Sequence, residues 1–145
     1  MNSQQRKIVV LGNEGVGKTS LVSNFLGLYD FSEEYKPTTT SDFFSKTVVH
    51  EEREISASIW DIGGNAKIGR SFMRGTHGVM LVVDLAKGKR LLEGLDNKYE
   101  EVVKLAGIGS NNPFPCHILA NKSDLVTDAN DLADAKEVLD KWCAR

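Results

Sequence analysis

Residues 12–19 read GNEGVGKT and follow the apolar run KIVVL without a break. No other stretch limits the fold so tightly. The pattern G-x-x-x-x-G-K-[ST] needs a strand that delivers the chain into a glycine-rich turn and a helix that carries it away. The glycines let successive backbone N–H groups turn inward as an anion nest, at the positive end of the following helix. An amphipathic stretch from Lys18 to Leu26 supplies that helix. A glycine turn with an incidental lysine would account for the octapeptide alone, but not for both flanking elements. Asn13, Glu14, Gly15, Val16, Gly17, Lys18, Thr19 and Ser20 are therefore candidate nucleotide contacts. Lys18 would reach the β- and γ-phosphates, and the Thr19 hydroxyl would ligate Mg²⁺, a hard cation that suits oxygen ligands and keeps several waters.

The rest of the chain supplies a matching frame. KIVVLG (7–12), GVMLVVDL (78–85) and CHILAN (116–121) are short continuous apolar runs, expected to form the centre of a parallel sheet covered on both faces. FFSKTVVH and EISASIWDI flank the polar HEER at 50–53 and predict an antiparallel edge hairpin. Helical stripes recur over 91–106 and from about 129 to 142, and GIGSNNPFP at 107–115 is the clearest loop. Strands alternating with helices indicate a doubly wound α/β sheet with its ligand at the carboxyl ends of the strands.

A phosphate loop alone does not separate ATPases, kinases and GTPases. WDIGGN at 60–65 ends a strand on a carboxylate and places Asp61 where it would hold the metal's water shell. NKSD at 121–124 follows the apolar CHILA and is the candidate base reader. An ionised Asp124 only accepts hydrogen bonds, so it can take both donors of guanine's N1 and N2 edge; adenine presents an acceptor at N1 instead. A carboxylate left unpaired in this way discriminates strongly. A kinase or ATPase needs a lid or acceptor site, and no arginine-rich lid segment occurs.

Composition closes off other classes. With 145 residues, 41% of them hydrophobic, the chain suits one domain spanning 1–145 with one core. Its 18 basic and 20 acidic residues are mixed, which gives no footprint for nucleic acid or anionic lipid. Cys116 and Cys143 suit reduced thiols rather than a disulfide frame. The polar start MNSQQRK and the lack of a long apolar run predict neither a signal peptide nor a membrane span, hence a cytoplasmic protein, peripheral to membranes at most.

Taken together, GNEGVGKTSL, FSEEYKPTTTSDF, WDIGG, GTHGVMLVVD and NKSD make the chain resemble the Ras superfamily of small GTPases, and within it the Rab family, over about residues 6–125. WDIGG with the following IG at 68–69, and DFF at 42–44, look most like the Rab twenty-eight subfamily. The resemblance implies a small G domain of the P-loop NTPase fold, with a mostly parallel sheet and one antiparallel hairpin. It implies GTP and GDP as ligands, Mg²⁺ as cofactor and a switching role in vesicle or membrane traffic. Thr38 would be the switch threonine that ligates Mg²⁺ and senses the γ-phosphate. Phe31 and Tyr35 would lie at the nucleotide, Gly64 would offer its N–H to the γ-phosphate, and Asn121 and Lys122 would frame the base beside Asp124. Effectors, exchange factors and activating proteins would bind residues 32–46 and 62–76.

Four departures qualify this picture. Asn65 stands where the family usually places the glutamine that orients the attacking water, and it is one methylene shorter. Glu14 puts a carboxylate into the phosphate loop, where it would repel the γ-phosphate or obstruct an arginine finger unless it points to solvent. Both predict slow hydrolysis, with Asn65, Lys18 and Thr38 as the catalytic set; the alternative is a non-hydrolysing scaffold. The segment from Asn65 to Arg74 is also short, which implies an altered second switch. Last, family members continue after NKSD and its helix with a further strand, a base-contacting loop and a final helix. Without them, about 400 Å² of apolar sheet face would be exposed, costing on the order of 10 kcal/mol. The sheet would end at CHILAN, so a C-terminally incomplete domain rescued by dimerisation or strand exchange is expected. The end Cys143-Ala144-Arg145 is not a C-a-a-X prenylation signal, so no anchor is expected in this stretch.

Overall fold

The structure, a computed structural model, describes residues 3–28, 41–107 and 115–145. Its elements are β1 (Gln4–Gly12), α1 (Lys18–Leu26), β2 (Asp42–His50), β3 (Arg53–Asp61), α2 (Arg70–Met73), β4 (Gly78–Asp84), α3 (Leu95–Ala106), β5 (Cys116–Asn121) and α4 (Ala129–Cys143). Short 3₁₀ turns occupy Leu85–Arg90 and Ser123–Leu125. Five strands form one sheet in the order β2-β3-β1-β4-β5. All neighbours are parallel except β2 and β3.

The apolar runs set this arrangement by alternation. Val9, Leu11, Val79, Leu81 and Val83 project to one face, where they meet Leu95 and Val102 of α3 and Ala135 of α4. Val10, Ile59 and Val82 project to the other face, against Val22 of α1. Both faces of β1 and β4 are therefore dry, as their uninterrupted apolar composition requires.

Register then carries the site. Val10 stands opposite both Asp61 and Met80, Gly12 opposite Val82, and Asp84 opposite Asn121. The carboxyl ends of β1, β3, β4 and β5 thus reach one edge of the sheet and deliver Gly12, Asp61, Asp84 and Asn121 there.

Two sequence expectations are corrected. CHILAN is not at the centre that its apolar composition suggests but at the margin where the sheet was expected to end: among the described residues β5 pairs only with β4. Ile118 packs on the α3–α4 side, while His117 and Leu119 on the α1 side are exposed. The helical stripe over 91–106 becomes a helix only at Leu95. Gly94 adopts φ 75° just before it, and Leu91 is buried from a turn rather than from the helix. The other helices match: α1 spans Lys18–Leu26, and α4 starts where the Asp128 carboxylate accepts from Asn130 N–H at 2.7 Å. The hairpin also matches, turning through Glu51 and Glu52 at φ 47° and 62°. Of the loop 107–115, residues 108–114 lie outside the described residues.

Candidate nucleotide site

Between β1 and α1 the phosphate loop wraps around Lys18. That side chain is buried, and its Nζ donates to the carbonyls of Gly12 at 3.1 Å and Asn13 at 3.0 Å. Burial lowers its pKa, Asp61 and Glu14 raise it, and Lys98 lowers it further. The loop carbonyls thus fix a buried ammonium, a point charge, beside the loop backbone.

Beside it stands a Thr19–Asp61 pair. The Thr19 hydroxyl meets Asp61 Oδ2 at 2.5 Å. Asp61 is fully buried, and its Oδ1 has no hydrogen-bond partner among the described residues. Burial raises the pKa of this carboxyl; the Thr19 bond and Lys18 lower it, and Asp42 raises it. A buried oxygen without a partner is costly, so it marks a place where something else supplies a positive or donating group. Among the described residues no three His, Cys, Asp or Glu side chains gather into a metal cage. One hydroxyl and one carboxylate fit instead a cation that fills its shell with water and phosphate oxygens, which is the habit of Mg²⁺.

NKSD lies beside the loop. Asn121 Nδ2 donates to Val16 O at 2.9 Å, and Gly17, at φ 96°, lies so close that an added Cβ would sit 2.3 Å from that Nδ2. Lys122, at φ 64°, donates through Nζ to Gly15 O at 2.6 Å and to Asp84 Oδ2 at 3.0 Å. The motif therefore braces the phosphate loop. Asp124 is exposed in the 3₁₀ turn that follows. Ser20 is exposed at the start of α1.

On the far side, Gly64 packs on Glu14 and Asn13, and Lys98 Nζ holds the Gly64 carbonyl at 2.8 Å. Asn65 turns its amide onto the Glu14 carboxylate. Glu14 is solvent-exposed yet engaged, so exposure does not remove it from the site. Phe31, Tyr35 and Thr38 lie outside the described residues.

Sequence reasoning missed three contributors. Asp84 is buried, anchors Lys122 and caps the turn at Ala86 N–H at 2.9 Å; a carboxylate ending the apolar run GVMLVVD was its signal. The contact of Asn13 Nδ2 with Glu93 O at 2.6 Å and the role of Lys98 left no signal, because both depend on where α3 docks.

A mostly parallel α/β sheet carrying a phosphate loop, a buried strand-end carboxylate and a brace of NKSD type defines a P-loop nucleotide-binding protein. The Ras family model matches residues 7–143. The chain is 35% identical to GTP-binding protein yptV5 of Volvox carteri, 36% identical to Ras-related protein RABG3f of Arabidopsis thaliana and 35% identical to Ras-related protein Rab7 of Glycine max. Each similarity covers 95% of this chain and 67% of the relative. The chain belongs to the Ras family of small GTPases. Two of these relatives carry Rab7 and RABG3 names, and the Rab twenty-eight likeness draws no support from them.

Proposed function

We propose that this chain is a Rab-type G domain across residues 1–145 that binds GTP and GDP with Mg²⁺, hydrolyses GTP slowly and switches partners in membrane traffic. The observation that carries this reading is the Thr19–Asp61 contact beside the buried Lys18. The backbone nest and Lys18 would hold the β- and γ-phosphates, Thr19 and Asp61 would hold Mg²⁺, and Asp124 would read guanine. When bound, Mg²⁺ supplies charge neutralisation along the phosphates. Asn121 and Lys122 keep the loop in shape, so base recognition and phosphate grip are mechanically joined.

Slow turnover follows from Asn65. Its side chain is short and committed to Glu14, so it is poorly placed to orient a water. Single-turnover phosphate release tests this. The expected wild-type rate is low and rises on Asn65→Gln; a fast wild-type rate contradicts it. No turnover in either protein favours the non-hydrolysing scaffold.

Effectors and regulators would engage 32–46 and 62–76. Phe43, Trp60 and Phe72 support this with an edge-to-face aromatic column, centroids 5.2 and 5.6 Å apart, whose outer ring Phe43 is exposed. The marginal strand β5, paired only with β4 among the described residues, supports self-association through its edge. Sedimentation should then show dimers at micromolar concentration, and a monomer throughout would exclude this part.

A further inference from the structure

We propose that Glu14 and Asn65 form a specificity-determining pair that makes the site favour guanosine diphosphate over triphosphate, an inference that rests on the guanine-nucleotide reading above. Three contacts converge on the segment after β3. The Asn65 amide donates to Glu14 Oε2. The Gly64 backbone lies directly on the phosphate loop: a Cβ added there would be 2.4 Å from Glu14 N, 2.6 Å from Glu14 Cα and 2.9 Å from the Asn13 carbonyl carbon. From the opposite side Lys98 of α3 donates to Gly64 O at 2.8 Å. The segment is thus clamped between helix and loop.

A diphosphate ends in the backbone nest and leaves this clamp intact. A triphosphate extends one phosphoryl group further, past Lys18 toward Gly64, into the gap that these contacts close. To admit it, Gly64 must lift from Glu14, the charge-assisted bond from Asn65 must break, and the new phosphate's charge must lie near the Glu14 carboxylate. Every one of these costs falls on the triphosphate alone. A contact present with one ligand and lost with the other shifts the preference by its full differential. The two residues read separately in the sequence as departures from a pattern; the structure joins them into one device.

Repulsion by Glu14 alone would also disfavour the triphosphate, so the test must separate charge from bond. Both side chains are exposed, and their truncation leaves the core untouched. Equilibrium affinities for GDP and for the β,γ-imido analogue of GTP, in excess Mg²⁺, are measured for wild type, Glu14→Ala, Asn65→Ala and the double variant. Each single change should raise the analogue's affinity relative to GDP by about three- to tenfold, and the double change should do no more than the larger single, because both remove one interaction. An unchanged ratio in Asn65→Ala, or effects that multiply in the double variant, would overturn the pair. GDP binding that persists while the ratio stays fixed would sink only this inference. Failure of the wild type to bind both GDP and the analogue would remove the guanine-nucleotide reading and the pair together.

Discussion

The Asp61 carboxylate is dry, its Oδ2 is taken by Thr19 and its Oδ1 has no partner among the described residues. That is a poor arrangement for a purely structural residue, since a buried acceptor without a donor costs about 1–3 kcal/mol. It is a good one for holding a cation and its waters. Asp61→Asn keeps the shape and the Thr19 contact but removes the charge. Its GDP affinity in Mg²⁺ should fall by about ten- to a hundredfold, toward the value in EDTA, while its affinity in EDTA changes little. Nucleotide titration in both buffers checks this; an Mg²⁺ increment equal to that of wild type would remove Asp61 from the metal's surroundings. At this scale the sequence was most informative. Lys18, Thr19, Asp61, Asn121 and Lys122 all stand at the predicted edge because motif spacing reports local backbone geometry. Lys98 did not announce itself, since nothing near it in the chain encodes the Gly64 carbonyl that it meets.

Elements were legible to the extent that one periodicity ruled them. Continuous apolar runs gave β1 and β4, two runs flanking the polar HEER gave the hairpin of β2 and β3, and a 3.6-residue stripe gave α4. The start of α3 was misplaced because Leu91 and Leu92 keep the helical spacing while Gly88 and Gly94, at φ 55° and 75°, hold the backbone in turns. For strand β5, composition alone points to the sheet centre because it reports apolarity but not neighbours, while the expectation that the sheet ends at CHILAN matches its marginal place. Its residue Cys116 carries a consequence. Burial, with Cys143 adding to it, pushes the Cys116 thiol up to about 11. Its thiolate fraction at pH 8 is therefore about one in a thousand, and it grows only as pH rises toward 11. Cys143 is exposed near the end of α4. A maleimide at pH 7–8 should modify Cys143 first and leave Cys116 for alkaline or unfolding conditions; mass mapping of equal early labelling at both sites would contradict the half-buried setting of Cys116.

For the whole molecule, the central sheet ties the NKSD segment to the phosphate loop. Strand register sets Asp84 beside Asn121, Asn121 and Lys122 hold the phosphate loop, and Lys18 hangs from that loop over Asp61. A ligand that fills both ends should therefore stiffen the sheet's whole carboxyl edge. Anything that binds only the folded state raises its midpoint of unfolding by mass action. The most direct measurement is the thermal unfolding of this chain with Mg²⁺·GDP, with Mg²⁺·ADP and with EDTA. The account predicts a cooperative transition whose midpoint rises by several degrees with GDP and stays within a degree of the EDTA value with ADP, at about 100-fold excess over Kd for GDP. Equal shifts with both nucleotides, or none with GDP, would contradict it.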